Sequence, residues 1–219
     1  DTGISDWPQL VDWDGDDKLD LFISNNEHLQ YYHNIGNSSQ PSYSLVSDNF
    51  TGEITPYYTQ FYDLDADGDL DLITDNGNLL NGQIKFYRTT GTPQNPIFTF
   101  ASLLQTPYTL GTVTFEDMDG DGDRDMLLGR FGGGLVYYRN DGSAQNPNFV
   151  LQTENWQNIP SERNPHLVDM DVDGDFDLLC GYNTPGYVEY YKNIGTPQNA
   201  QMVLVDSSFC DMSFGGPQP

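Results

Sequence analysis

The chain has 219 residues, long enough for a substantial core, and carries 33 acidic residues against eight Lys and Arg, a formal net charge of −25. That balance excludes nucleic acid as a partner, because no basic stripe exists to neutralise phosphates. It also excludes docking on an anionic membrane unless a cation bridges the two surfaces, and no apolar run reaches membrane-spanning length.

The acidity is not spread evenly. Twenty of the acidic residues stand in four nine-residue runs that begin at Asp12, Asp63, Asp117 and Asp169, spaced 51, 54 and 52 residues apart. A regular period of this size marks a propeller, solenoid or array. The third run, Asp117-Met-Asp119-Gly-Asp121-Gly-Asp123-Arg-Asp125, sets the pattern. Aspartates at every second position cannot share a helix face. As a loop they present carboxylates at positions one, three, five and nine and a backbone carbonyl at position seven, with Gly122 at position six for the tight turn. Hard oxygen donors at this density suit Ca²⁺.

In chain order each repeat reads alike. A short strand comes first: Pro8 to Val11, Thr59 to Tyr62, Val113 to Glu116 and Pro165 to Val168. The loop follows, then an apolar strand at Leu19 to Ile23, Leu70 to Ile73, Met126 to Leu128 and Phe176 to Leu179, too short for a helix. A Gly/Asn-rich turn comes next, plainest at Gly132-Gly133-Gly134 and Asn183 to Gly186. The third strand carries an aromatic pair: Tyr31-Tyr32, Phe86-Tyr87, Tyr137-Tyr138 and Tyr190-Tyr191. One ring of each pair is expected to pack between sheets and the other to face away; packing is the expected role, ahead of sugar stacking. Turns at Asn34-Ile-Gly36, Thr89-Thr-Gly91, Asn140-Asp-Gly142 and Asn193-Ile-Gly195 lead to a fourth, outermost strand. Those strands read as Tyr43 to Val46, Ile97 to Phe100, Asn148 to Leu151 and Gln201 to Val205. Four strands per repeat make one antiparallel sheet, or blade, and the chain reads as all-β.

The Asp-x-Asp-x-Asp-Gly-x-x-Asp loop, the Asp-Leu-Leu-like strand after it and the Tyr-Tyr-x-Asn-x-Gly ending resemble FG-GAP/VCBS repeats. These are the calcium-bearing blades of integrin α-subunit propellers and of many secreted bacterial and fungal proteins. The resemblance covers nearly the whole chain. It implies a single β-propeller domain over residues 1–219, with blades near 1–50, 51–103, 104–156 and 157–208 and a closing tail at 209–219. It also implies Ca²⁺ in the loop between the first two strands of each blade. The side-chain ligands it implies are Asp63, Asp65, Asp67 and Asp71; Asp117, Asp119, Asp121 and Asp125; and Asp169, Asp171, Asp173 and Asp177. Asp69, Asp123 and Asp175 would ligate through their carbonyls. The first loop departs from the pattern, with Asp17 in place of the glycine and Lys18 at the carbonyl position. Asp12, Asp14, Asp16 and Asp20 are therefore expected to form the weakest of four Ca²⁺ sites. An EF-hand is excluded, since Ile23, Thr74, Leu128 and Cys180 stand where its Glu would be.

Outside the loops the acid–base candidates are scattered: His28, His33, His166, Glu53, Glu116, Glu154, Glu162 and Glu189. No Ser-His-Asp spacing, phosphate-binding glycine loop or Cys/His cluster occurs. The reading is a calcium-stabilised extracellular scaffold or binding module, not an enzyme. It would bind a glycan, a protein or copies of itself, through ring closure or a head-to-tail filament. The alternative is a propeller enzyme, a lyase or hydrolase acting on polysaccharide. Phe209 is expected to pack against blade one, which lacks a leading aromatic of the kind Phe50 and Trp156 supply elsewhere. Cys180 and Cys210 are either a disulfide or two separate thiols, and Asn37 and Asn49 head glycosylation triplets. The chain begins at Asp1 rather than Met and reads as a processed or excerpted segment.

Overall fold

The computed structural model describes residues 7–25, 28–37, 39–52, 54, 58–75, 82–108, 110–130, 133–160, 164–181 and 187–211. Their extended, alternating segments form sixteen strands in four antiparallel sheets, each with its strands in chain order. Blade one is β1 (Trp7–Val11), β2 (Asp20–Asn25), β3 (His28–Asn34) and β4 (Tyr43–Ser47). Blade two is β5 (Thr59–Tyr62), β6 (Asp71–Asp75), β7 (Gln83–Thr92) and β8 (Asn95–Gln105). Blade three is β9 (Leu110–Glu116), β10 (Asp125–Arg130), β11 (Leu135–Asn140) and β12 (Phe149–Thr153). Blade four is β13 (Asn164–Val168), β14 (Asp177–Gly181), β15 (Tyr187–Asn193) and β16 (Met202–Asp211). This is the all-β architecture of β-propeller blades, and no helix among the described residues is long and apolar enough to cross a membrane.

The chain divides into two compact units, Asp1–Pro107 and Tyr108–Pro219, with two blades in each. In the first unit β1 and β5 are neighbours, and in the second β9 and β13 are. The first unit's core is aromatic: Trp13, Phe22, Tyr31 and Phe61 pack with Leu29 and Leu72. Trp13 lies 5.6 Å from Phe22, 5.3 Å from Phe50 and 5.1 Å from Phe61, tilted or edge-on, as ring quadrupoles favour. The second unit's core is mainly aliphatic, with Leu127, Leu135, Leu167 and Leu178 around Trp156 and Tyr191. Phe50 and Trp156 thus lead into blades two and four from within the two cores.

Register places the aspartate loops. The ninth-position aspartate of each loop is the first residue of a second strand and pairs with the last residue of the first: Val11 with Asp20, Tyr62 with Asp71, Glu116 with Asp125, Val168 with Asp177. The second strands begin one residue later than the apolar runs at Leu19, Leu70 and Phe176 suggest, because this pairing recruits the aspartate itself. A second recurrent feature sits at the aromatic pairs. The ladder to the outer strand shifts between Tyr31 and Tyr32, Phe86 and Tyr87, Tyr137 and Tyr138, and Tyr190 and Tyr191. One outer-strand residue is left over each time: Val46, Ala101, Gln152 and Val205. Such a bulge bends the edge strand and resets its alternation. Leu45 and Val46 are accordingly both exposed, as are Leu204 and Val205.

Two outer strands are longer than expected. β8 runs Asn95–Gln105, and β16 runs to Asp211 rather than stopping at Val205. Residues 209–211, expected to open a closing tail, instead extend blade four, with Cys210 opposite Val188 and Asp211 opposite Tyr187. Phe209 is 45% exposed, and its ring lies 5.5 Å from Tyr190 of the same blade. The rest of the expected tail, residues 212–219, lies outside the described residues, as do Gly132 and the turn at 183–186.

Candidate metal centres

In each loop the first aspartate folds the chain around itself. Asp12 Oδ1 accepts the Gly15 and Asp16 N–H groups at 2.9 and 3.1 Å, and its Oδ2 accepts that of Asp17 at 3.0 Å. Asp117 does the same with Gly120, Asp121 and Gly122 at 2.7, 3.1 and 3.0 Å. Asp63 and Asp169 hold positions five and six of their loops at 3.1 to 3.2 Å. The fifth-position aspartates Asp16, Asp67, Asp121 and Asp173 each accept the position-seven N–H, at 2.9 to 3.2 Å. Turning this tightly demands left-handed backbone twice per loop. Position six is Asp17 (φ 64°) or a glycine, and position four is Gly15, Ala66 (φ 57°), Gly120 or Val172 (φ 61°). A β-branched residue there is strained.

The loops gather the carboxylates at positions one, three and five. Asp12, Asp14 and Asp16 present one oxygen each, all within 4.8 Å of one another, as do Asp63, Asp65 and Asp67. Asp117, Asp119 and Asp121 repeat the trio, and so do Asp169, Asp171 and Asp173. At position seven, where the carbonyl is the expected ligand, the side chain is also buried in two blades. Asp123 and Asp175 are 9% and 8% exposed, and the Oδ1 of each is buried without a hydrogen bond, as is Asp14 Oδ1. Burial, followed by the neighbouring carboxylates, raises the pKa of Asp14, Asp65, Asp123 and Asp175. Buried oxygens without donors, crowded by like charge, fit a bound cation, and the all-oxygen donor set fits a hard one. At position seven, Asp69 is exposed and the Lys18 ammonium turns back onto Asp16 at 2.5 Å.

The ninth-position aspartates are 0 to 4% exposed and tie each loop to the end of its third strand. Asp20 Oδ1 accepts the Asn34 N–H at 2.7 Å, and its Oδ2 accepts the Tyr31 hydroxyl at 3.0 Å. Asp125 holds the Asn140 N–H at 2.7 Å, the Tyr137 hydroxyl at 2.9 Å and the Met118 N–H at 3.2 Å. Asp177 holds the Asn193 N–H at 2.7 Å and the Tyr190 hydroxyl at 2.9 Å. In blade two Phe86 has no hydroxyl to give, and Asp71 accepts only backbone N–H groups, of Thr89 at 3.0 Å and Leu64 at 3.2 Å. Burial pushes Asp71 and Asp125 up to about 6, against the lowering pull of these donors. In blades one, three and four the first aromatic of the pair therefore has a polar duty as well as a packing one.

The Asn of Tyr-Tyr-x-Asn-x-Gly completes the scaffold. Asn34, Asn140 and Asn193 are each 2% exposed. Asn140 Oδ1 accepts the Gly142 and Asn148 N–H groups at 3.0 and 2.8 Å, and the other two make the matching pair of bonds. A Cβ on Gly36, Gly142 or Gly195 would collide with the carbonyl of Gln40, Asn146 or Asn199. The x of this motif, expected to matter only at His33, follows one rule in all four blades. It is His33, Arg88, Arg139 and Lys192, a base in every blade. His33 Nδ1 lies 3.6 Å from Asp14, and Arg88 lies 3.4 Å from Asp65. Lys192 pairs with Asp171, whose pKa it lowers. Arg139 bonds Asp141 at 2.5 Å and also feels Asp119. The signal was its fixed place, one residue after each aromatic pair.

The acid–base candidates are engaged elsewhere or exposed. Glu116 meets Arg124 at 2.9 Å, Glu154 lies 3.9 Å from Arg130, and Glu189 accepts the Tyr191 hydroxyl at 2.7 Å. His28 and His166 are exposed, and Glu53 and Glu162 lie outside the described residues. Cys180 on β14 and Cys210 on β16 are separated by β15, about 9 to 10 Å by strand spacing, and form no disulfide with each other. Asn37 and Asn49 are exposed, Ser38 lies outside the described residues, and Thr51 is buried.

Comparison with protein families agrees with this geometry. The model of the FG-GAP-like repeat matches residues 12–74, from the first aspartate of loop one through the second strand of blade two. That match and the four blades fit an FG-GAP repeat protein. The fold is that of a binding or scaffold module, and repeats of this kind often bind calcium. No curated protein matches the chain.

Proposed function

We propose that this chain is a calcium-stabilised extracellular binding module or scaffold, whose ligand is a glycan, a protein or a second copy of itself, and that it is not an enzyme. The observation that supports this reading is the carboxylate trio repeated in all four blades on one loop geometry. Ca²⁺ would be held by positions one, three and five of each loop, with Asp123 and Asp175 beside it in blades three and four. Bound there, the ion supplies positive charge where like charges otherwise repel. The first site is the weakest, because Asp17 stands where the other loops have glycine and Lys18 of the loop itself pairs with Asp16. The acid–base candidates described above suit a binding role better than polysaccharide cleavage, since each described glutamate is paired. FG-GAP repeats are typical of extracellular proteins, which favours that location.

A glycan array probed with and without Ca²⁺, beside incubation with soluble polysaccharides, tests the reading. Calcium-dependent binding without cleavage is expected. Release of reducing or unsaturated sugar ends would overturn it in favour of a lyase or hydrolase.

A further inference from the structure

Blade one departs from the other three in the base it sets beside its loop. At the base position after the aromatic pair, blades two to four carry Arg88, Arg139 and Lys192, whose cationic heads cannot ligate a metal. Blade one carries His33, which can. In the same blade Lys18 pairs with Asp16 at 2.5 Å, as Lys192 pairs with Asp171 in blade four, and so occupies one carboxylate of the oxygen trio. What remains is a second, mixed donor set. His33 Nδ1 lies 3.1 Å from Asp20 Oδ1 and 3.6 Å from Asp14 Oδ2, and the three residues' donor atoms lie within 4.8 Å of one another. Ligands of a four-coordinate ion at about 2.0 to 2.1 Å stand roughly 3.3 Å apart, which these separations bracket.

Three further observations point the same way. Asp14 Oδ1 is buried and accepts no hydrogen bond. Asp20 Oδ1 accepts the Asn34 N–H at 2.7 Å and hydrogen-bonds His33 Nδ1 at 3.1 Å, the second contact being the one an ion between them would replace. His33 and Asp14 also line a groove of about 460 Å³ walled by Tyr31, Phe50, Pro93 and Pro96. An ion can enter from that groove, and a water or ligand oxygen can complete its shell there.

We infer that His33, Asp14 and Asp20 form a site for a divalent transition ion of the Zn²⁺ or Co²⁺ kind, which takes Asp14 and Asp20 in place of the weak Ca²⁺ site of loop one and is chemically distinct from the all-oxygen loops of the other blades. One imidazole and two carboxylates carry a charge matched to such an ion, whereas Ca²⁺ has little use for a nitrogen donor.

The test is a Co²⁺ titration of the full chain in saturating Ca²⁺, followed by the visible absorption of the bound ion. About one equivalent with a nitrogen-containing spectrum is expected. His33→Arg installs the base that blades two and three carry at this place. It should weaken Co²⁺ binding by more than about tenfold, the least that loss of even an outer-shell partner costs. His33→Gln guards against misfolding of the first variant, and calcium-dependent melting of both shows whether the other loops survive. Equal Co²⁺ binding by wild type and both variants would overturn the site, as would a wild-type chain that takes up no Co²⁺. Calcium-dependent melting without Co²⁺ binding would overturn the site while leaving the calcium reading in place. Co²⁺ binding lost with His33 supports the site even if Ca²⁺ has no effect on melting.

Discussion

Removing metal should reverse the usual pH dependence of stability. Asp71 and Asp125 are 4% and 1% exposed, and burial holds each near 6 against a usual value of 3.8. A folded carboxylate whose pKa is raised binds its proton before the unfolded one does. Its ionisation therefore costs stability as pH rises from the unfolded value through the folded one. Each shift of about two units corresponds to roughly 3 kcal/mol of penalty at neutral pH, so the pair contributes up to about 6. Asp14, Asp65, Asp123 and Asp175 shift the same way, while Asp16 and Asp171, paired with lysines at the surface, shift the other way. Urea unfolding in excess chelator should thus show stability rising by about 3 kcal/mol from about pH 7 to about pH 5, with the remainder gained below pH 5. Asp125→Asn should remove about half of that slope, because the amide oxygen can still accept the Asn140 N–H without carrying charge. In saturating Ca²⁺ the slope should invert, since protons then compete with the ion for the same oxygens. A chelated protein whose stability is flat or falls over this range would refute the reasoning.

Three further outcomes follow from the loop and turn geometry. Val172→Gly should stabilise the chain by about 1 kcal/mol in chemical unfolding, the left-handed strain of a branched residue outweighing glycine's unfolded-state entropy, whereas Gly120→Val should destabilise. Asn140→Ala or Asn193→Ala should lower stability by about 2 to 3 kcal/mol, since two turn N–H groups lose their buried acceptor, and thermal melting reads this directly. Asp121→Ala and Asp173→Ala should each diminish the Ca²⁺-induced rise in melting temperature more than Asp16→Ala does, because loop one already carries Asp17 at the glycine position and a close Lys18–Asp16 pair; the reverse ranking would show that the first loop's departures are harmless.

The loops were legible because their chemistry is written twice, in alternate aspartates and in the period that repeats them. The same period exposed the four strands of each blade. The bulge opposite each aromatic pair was not legible: it is a backbone event, and nothing in Leu45-Val46 or Leu204-Val205 says which residue drops out of the ladder. Position four of the loops was hidden similarly, since Ala66 and Val172 do not advertise a positive φ as Gly15 and Gly120 do. The polar role of Tyr31, Tyr137 and Tyr190 depends on register, which brings their hydroxyls to Asp20, Asp125 and Asp177. The outer strand of blade four ran past Val205 because a bulge and its pairing to β15 carry it on to Asp211, beyond where its apolar run stops. Lone bases at His33, Arg88, Arg139 and Lys192 look like ordinary surface charge until the fold sets them beside the third-position aspartates.

The account rests on cations completing the loops, and differential scanning calorimetry of the chelator-treated chain with and without millimolar Ca²⁺ tests this most directly. A site of about micromolar affinity adds roughly 4 kcal/mol by mass action at that concentration. The account predicts a large rise in melting temperature that Ca²⁺ produces and excess chelator abolishes. Superimposable melting curves in Ca²⁺ and in chelator would contradict it.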